Sequence, residues 1–203
     1  MTLIPRAWLL KVTALCLAAT GLMAGLRVAR AEQGVPALRQ ASILTRALAY
    51  DRNMKERAGD SVSVGVLYRA GNASSENCAN ETLQAFKGLE KFAVHGLPFK
   101  AMRIAYDTGG SMKDLIRNEG IDALYACNGL DSEVDGIAAF AQERKIITMG
   151  AREEYVNKAL AIGVFVIDGK PTILINWGES QKEGASFSSD LVRLAKVIND
   201  AGR

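Results

Sequence analysis

Four β-rich runs, at 62–68 (VSVGVLY), 99–106 (FKAMRIAY), 121–126 (IDALYA) and 145–149 (KIITM), are separated by stretches just long enough for a helix and its turns. Such alternation leaves few folds open: parallel strands joined by right-handed crossovers, with helices covering both faces of the sheet. The intervening segments fit that role. Ala79, Leu83 and Phe86 supply the inner stripe of a helix over 78–89. Ser111 with Asp114, and Ser132 with Asp135, each match a capping pattern at a helix start. Upstream, Ile43, Leu44, Ala47, Leu48, Tyr50 and Met54 fall at helical spacing within 35–57, with Pro36 suited to a first turn and Gly59-Asp60 as the stop.

Beyond residue 160 the pattern changes. In IGVFVIDGKPTILINW (162–177), two apolar runs meet at Asp168-Gly169, residue types that accept positive φ, so the spacing predicts a hairpin. Both strands are apolar at nearly every position, as in a sheet covered on two faces, and one must run antiparallel to its partner. Pro171 has no N–H for a ladder and therefore belongs at a sheet edge or strand start. A last helix is predicted from about Ser186, with Phe187, Leu191, Leu194, Ala195 and Ile198 as one stripe packed on the sheet. The fold class is therefore α/β: a three-layer sandwich around a mostly parallel mixed sheet of about six strands, with a closing β-hairpin and a C-terminal helix.

The first 31 residues read differently. Arg6 and Lys11 precede an apolar block at 12–26, too short to span a bilayer comfortably, and Ala29-Arg30-Ala31 offers a small-x-small cleavage pattern. The expectation is a secretory signal peptide over 1–31, cleaved after Ala31, and a single α/β domain over 32–203. Export changes the charge balance. The whole chain holds 25 basic and 22 acidic residues, but 1–31 carries Arg6, Lys11, Arg27 and Arg30 and no acid. The exported part has 21 basic against 22 acidic residues, which leaves no electrostatic footprint for nucleic acid.

Loss of Cys16 leaves Cys78 and Cys127. Cys127 directly follows the third strand and Cys78 follows the first by a loop, so both belong to the carboxyl rim of the sheet. In a common doubly wound order those two strands are neighbours. An oxidising compartment then favours one disulfide, with two unpaired buried thiols as the alternative. Such a bridge would add about 4 kcal/mol in the chain-entropy model, as a staple or as a redox-sensitive latch.

Catalytic chemistry is hard to assemble from what remains. DTGGS (107–111) could cradle an anion but lacks the Walker lysine and the dinucleotide glycine spacing, so a tight turn explains it better. Ser111 has no nucleophile-elbow frame. His95 is the single histidine, which excludes histidine-cluster metal sites. No Cys-x-x-Cys is present to suggest a thiol oxidoreductase. No catalytic, cofactor-binding or metal-ligating residue is assigned. The candidate ligand positions are those of the strand-end rim: Asp107, Ser111 and Asn128.

The C-terminal third carries a resemblance. GVFVIDGKPTILINW followed by FSSDLVRLAKVI is similar to the YfiR/HmsC-like family of bacterial periplasmic proteins, through Gly163, Ile175, Asn176, Ser188, Ser189, Leu191, Leu194, Ala195 and Val197. The likeness extends more loosely from about Ala41. It implies a non-enzymatic periplasmic regulator, without cofactor, that binds the periplasmic domain of an inner-membrane diguanylate cyclase or sensor kinase and restrains cyclic-di-GMP synthesis and biofilm formation. Contact with the membrane would then run only through the partner, and a homodimer is compatible with that role. Unlike members with a second cysteine pair, this chain has no cysteine after Cys127. Three readings thus compete: a regulatory binding protein exposing an apolar patch on the first helix or beside the hairpin, a small-molecule module using the rim loops, and, more weakly, an enzyme.

Overall fold

The computed structural model describes residues 34–199. The expected signal peptide lies outside them, and among the described residues no helix is long and apolar enough to cross a membrane. One seven-stranded sheet runs β2-β1-β3-β4-β5-β6-β7. Its strands are β1 (Val62–Tyr68), β2 (Phe99–Ala105), β3 (Ala123–Ala126), β4 (Ile147–Gly150), β5 (Ile162–Ile167), β6 (Lys170–Asn176) and β7 (Ala195–Ile198). All neighbours are parallel except β5 and β6, so the mixed, mostly parallel sheet is as the sequence predicts.

Side chains alternate across it with period two. Val62, Val64, Val66, Ala123, Tyr125, Ile147 and Met149 point to one core, and Leu67, Leu124, Ala126 and Leu174 to the other. The first core is closed by helices α1 (Ala37–Ala49), α3 (Ala73–Lys87) and α8 (Ser189–Leu194), with Met54 from the short α2 (Met54–Ala58). The second is closed by α4 (Ser111–Asn118), α5 (Val134–Arg144) and α6 (Glu153–Lys158). A further short helix, α7 (Trp177–Lys182), follows β6.

The hairpin forms as its turn chemistry requires: Asp168 and Gly169 take φ of 51° and 73°. Pro171 sits near the start of β6, opposite Val166. β7 pairs with β6 only from Ile173 onward, so the missing proline donor falls outside that ladder.

The chain departs from expectation at its C-terminus. The stripe from Phe187 to Ile198 is not one helix. Helix α8 ends at Leu194, which is 68% exposed, and Ala195 to Ile198 become the edge strand β7. Parallel pairing with β6 satisfies N–H and C=O groups along the open edge of β6, which an extension of α8 would leave unpaired. The single helix expected over 35–57 is also broken, because the Asp51 carboxylate is fully buried at the α1–α2 junction. It accepts from the backbone N–H of Asn53 (3.1 Å) and Ser186 (2.8 Å) and pairs with Arg57 at 2.5 Å. His95 is structural in the same place, its Nε2 donating to the Asp51 carbonyl at 2.9 Å.

Several residues of the C-terminal motif have architectural roles. Gly163 leaves room for the Phe165 ring, which a Cβ at 163 would overlap. Asn176 caps α7 by accepting from Glu179 N–H (3.3 Å), and its amide donates to Val156 O (2.8 Å). Ser188 caps α8, and Ile175 and Leu191 are buried.

A second buried carboxylate ties the lower end of the sheet. Glu183 accepts from Thr148 N–H (2.7 Å) and Thr148 Oγ1 (2.5 Å), and Thr148 Oγ1 accepts from Ala161 N–H (2.8 Å). Burial pushes the Glu183 carboxyl up to about 8.

Two outcomes follow. Gly163→Ala should lower unfolding free energy by about 1–3 kcal/mol through overpacking against Phe165. Its combination with Phe165→Leu should cost less than the sum of the two single changes; additivity would contradict the contact. Because folding raises the Glu183 pKa above its ordinary 4.5, its contribution is complete below that pH and is lost as pH rises through about 8. Urea unfolding between pH 6 and 7 should therefore show stability falling by up to about 1.4 kcal/mol per pH unit. Glu183→Gln should flatten that slope, and an unchanged slope would exclude Glu183 as its source.

Candidate functional site

In an open parallel sheet, ligands enter where neighbouring crossovers leave in opposite directions, outside the carboxyl ends of the strands. Here that point lies between β1 and β3, which pair from Val64–Ala123 to Leu67–Ala126. The loops above them are Arg69-Ala70-Gly71-Asn72 and Cys127-Asn128-Gly129.

The crevice between these loops is bridged. Arg69 Nε donates to Gly129 O at 2.7 Å, and its guanidinium pairs with Glu133 at 2.5 Å. The pairing raises the Arg69 pKa and lowers that of Glu133. Asn128 Nδ2 donates to Ser74 Oγ at 2.6 Å, while Asn128 Oδ1 is buried with no hydrogen-bond partner among the described residues. Arg69 was not singled out by sequence reasoning; a basic residue directly after a central strand, facing a Gly-containing loop, is the signal that was there to read.

Asp107 and Ser111 come together, and neither is hydrogen-bonded to Asn128. The cap differs from the one predicted: Gly110 occupies the N-cap of α4, and the Asp107 carboxylate binds the turn. It accepts from the N–H groups of Gly109 (2.8 Å), Gly110 (3.0 Å) and Met112 (3.0 Å) and from the Ser111 hydroxyl. The Ser111 hydroxyl, then these N–H groups, hold the Asp107 pKa below its usual value. Asp114 pairs instead with Arg117. The Ser132–Asp135 cap is likewise not formed: α5 starts after Glu133 without a side-chain cap. Helix α3 begins five residues before its predicted start, capped by Asn72, whose Oδ1 accepts from Ser75 N–H at 3.0 Å.

Beneath this rim Cys78, half-buried on α3, faces buried Cys127, both as thiols. A hydrogen bond from Cys127 lowers the Cys78 pKa to about 7, helped by the Asn128 N–H and Thr82 and opposed by burial. The same contact and burial push the Cys127 thiol up. Cys78 is thus the more readily ionised thiol of the two. Tyr125 packs in the same core, fully buried, and donates to Gln40 Oε1 at 2.7 Å. Among the described residues no three His, Cys, Asp or Glu side chains form a metal cluster.

The model of the family described as YfiR/HmsC-like matches residues 40–196. No curated protein sequence matches the chain. Among solved structures, an ABC domain in complex with L-Trp from Streptococcus pneumonia is similar with TM-score 0.57 and 16% identity, over 80% of this chain and 62% of that one. A conserved domain protein from Vibrio cholerae gives 0.57 and 16%, over 80% and 60%. A substrate binding protein with adhesive properties from Clostridium difficile, in its ligand-free open form, gives 0.53 and 17%, over 75% and 58%. The chain therefore spans about 60% of the length of these solved chains, and at such identity the likeness is one of fold.

Alkylation rates should report the thiol pair directly. Cys78 should react with iodoacetamide along a titration centred near pH 7 while Cys127 stays unreactive, and Cys127→Ala should move that midpoint upward. A Cys78 midpoint unaffected by the substitution would contradict the hydrogen bond.

Proposed function

We infer the role of this protein from one premise: the chain belongs to the YfiR/HmsC-like family. Proteins of this family are periplasmic, regulatory and non-enzymatic, and they generally bind a periplasmic sensor partner. The finer reading is that this chain, exported by cleavage after Ala31, docks on the periplasmic domain of an inner-membrane signalling protein. A diguanylate cyclase is the leading partner and a sensor kinase the other, and docking restrains the partner's output and with it cyclic-di-GMP synthesis and biofilm formation.

The observation that carries this reading is the exposure of large apolar side chains at the two ends of the first helix: Leu38 near its start is 59% exposed and Tyr50 at its C-cap 40%, with Ser42 and Arg46 between them. Phe92, 53% exposed, stands across a cleft from Ser42 and Arg46. Large apolar side chains left in water carry a cost that a docked partner would remove. The rim, by contrast, is bridged by Arg69 and spends most of its polar atoms internally.

The facing thiols support a redox element. Closing a Cys78–Cys127 disulfide would pass two electrons and two protons to a thiol-oxidising partner of the compartment, and would pin α3 to the end of β3. Since α3 packs beside α1, the bridge would set the position of the docking helix. A second reading, a small-molecule module at the rim, is favoured only by the unpartnered Asn128 Oδ1, and would require Arg69 to swing away from Gly129.

Tagged protein should capture a membrane cyclase or sensor kinase from envelope fractions of its host, and mild reductant should weaken the capture. Leu38→Glu should abolish it. Capture unaffected by Leu38→Glu would move the docking face elsewhere, and no membrane partner under either redox condition would sink the reading.

A further inference from the structure

The cleft between α1 and the loop at 88–94 has the chemistry of a ligand site in its own right. It encloses about 230 Å3, with Ser42, Thr45 and Arg46 on one wall and Leu89, Phe92 and Val94 on the other. A shallower trough shares Ser42 and Arg46 with it and continues along α1 past Ile43 to Leu38 and Pro36. Neither depression has an acidic residue in its lining. The charged groups there are Arg39 and Arg46, both exposed and, among the described residues, in no salt bridge. Helix α1 itself contains no Asp or Glu. Thr45 also lines the cleft, but it is 6% exposed and its Oγ1 is closed off from it.

The Arg46 guanidinium, shared by both depressions, offers a planar set of donors to a carboxylate. Leu89 and Phe92 in the cleft, and Leu38 and Ile43 along the trough, present apolar surface. The distance from Leu38 to Arg46 is about 12 Å of helix, the span of a medium alkyl chain. We propose that this cleft and trough bind a medium-chain alkyl carboxylate, its head on Arg46 and Ser42 and its chain lying along the trough past Ile43 to Leu38. The site is separate from the strand-end rim and stands whether or not a protein partner docks on the same helix.

Calorimetry with decanoate on protein purified from a producing cell envelope tests it. Saturable binding of one decanoate per chain is expected, with none for acetate and none for decyltrimethylammonium. Arg46→Gln and Phe92→Ala should each weaken decanoate at least tenfold, whereas Arg193→Gln on α8 should not change it. These side chains are exposed, so the variants should melt as the parent does, and Arg39→Gln provides a second test of the charge. Absence of saturable decanoate binding, equal binding of the cationic amphiphile, or unchanged affinity in both arginine variants would overturn the proposal. Sedimentation with phosphatidylglycerol vesicles in the absence of decanoate binding would overturn it in favour of a bilayer surface.

Discussion

The pairing of β1 with β3 is the constraint on which the rest of this molecule turns. It skips β2 and sends the crossovers to opposite faces, so α3 and α5 rise on different sides of one crevice. From that adjacency come both features of the upper rim: Arg69 can reach Gly129 and Glu133, and Cys78 can face Cys127. Had β2 lain between them, with strands about 4.8 Å apart, neither contact would be within reach.

The opposite end of the sheet is fixed by buried carboxylates. Asp51 joins the α1–α2 junction to the segment before α8, and Glu183 joins the end of α7 to β4 and β5. Asp122, pushed up to about 6 by burial, accepts from Ser63 N–H at the foot of β1. These ties hold the C-terminal elements, contributed late in the chain, against the first helix. The result is a scaffold pinned at both ends, with exposed large apolar side chains at Leu38, Tyr50 and Phe92 around α1 and the loop at 88–94, and at Leu194 on α8.

Much of this is legible in the sequence because local chemistry and tertiary context agree. The alternation of β-rich and helical segments gives the layered sheet, and Asp168-Gly169 gives the hairpin. Where they disagree, the sequence misleads. Ala195 and Ile198 fit a helical stripe begun at Phe187, but β6 offers a vacant edge, and pairing there decides the matter. Ser74 and Ser75 look like loop residues, yet Ser75 is buried in the first turn of α3 and accepts from Arg69 N–H at 2.9 Å. Of the candidate site, the nearness of the two cysteines can be read from strand order. The Arg69 bridge and the cleft beside α1 cannot, since both depend on how loops distant in sequence meet.

Function on this account resides on the flank of the domain, against the usual habit of open α/β sheets. Hydrogen exchange of residues 32–203, alone and mixed with the periplasmic domain of the membrane partner proposed above, tests that most directly. Protection on binding is expected over α1 and residues 88–94, with little change in the loops at 69–72 and 127–130. Protection confined to those rim loops, with α1 exchanging as in the free protein, would contradict it.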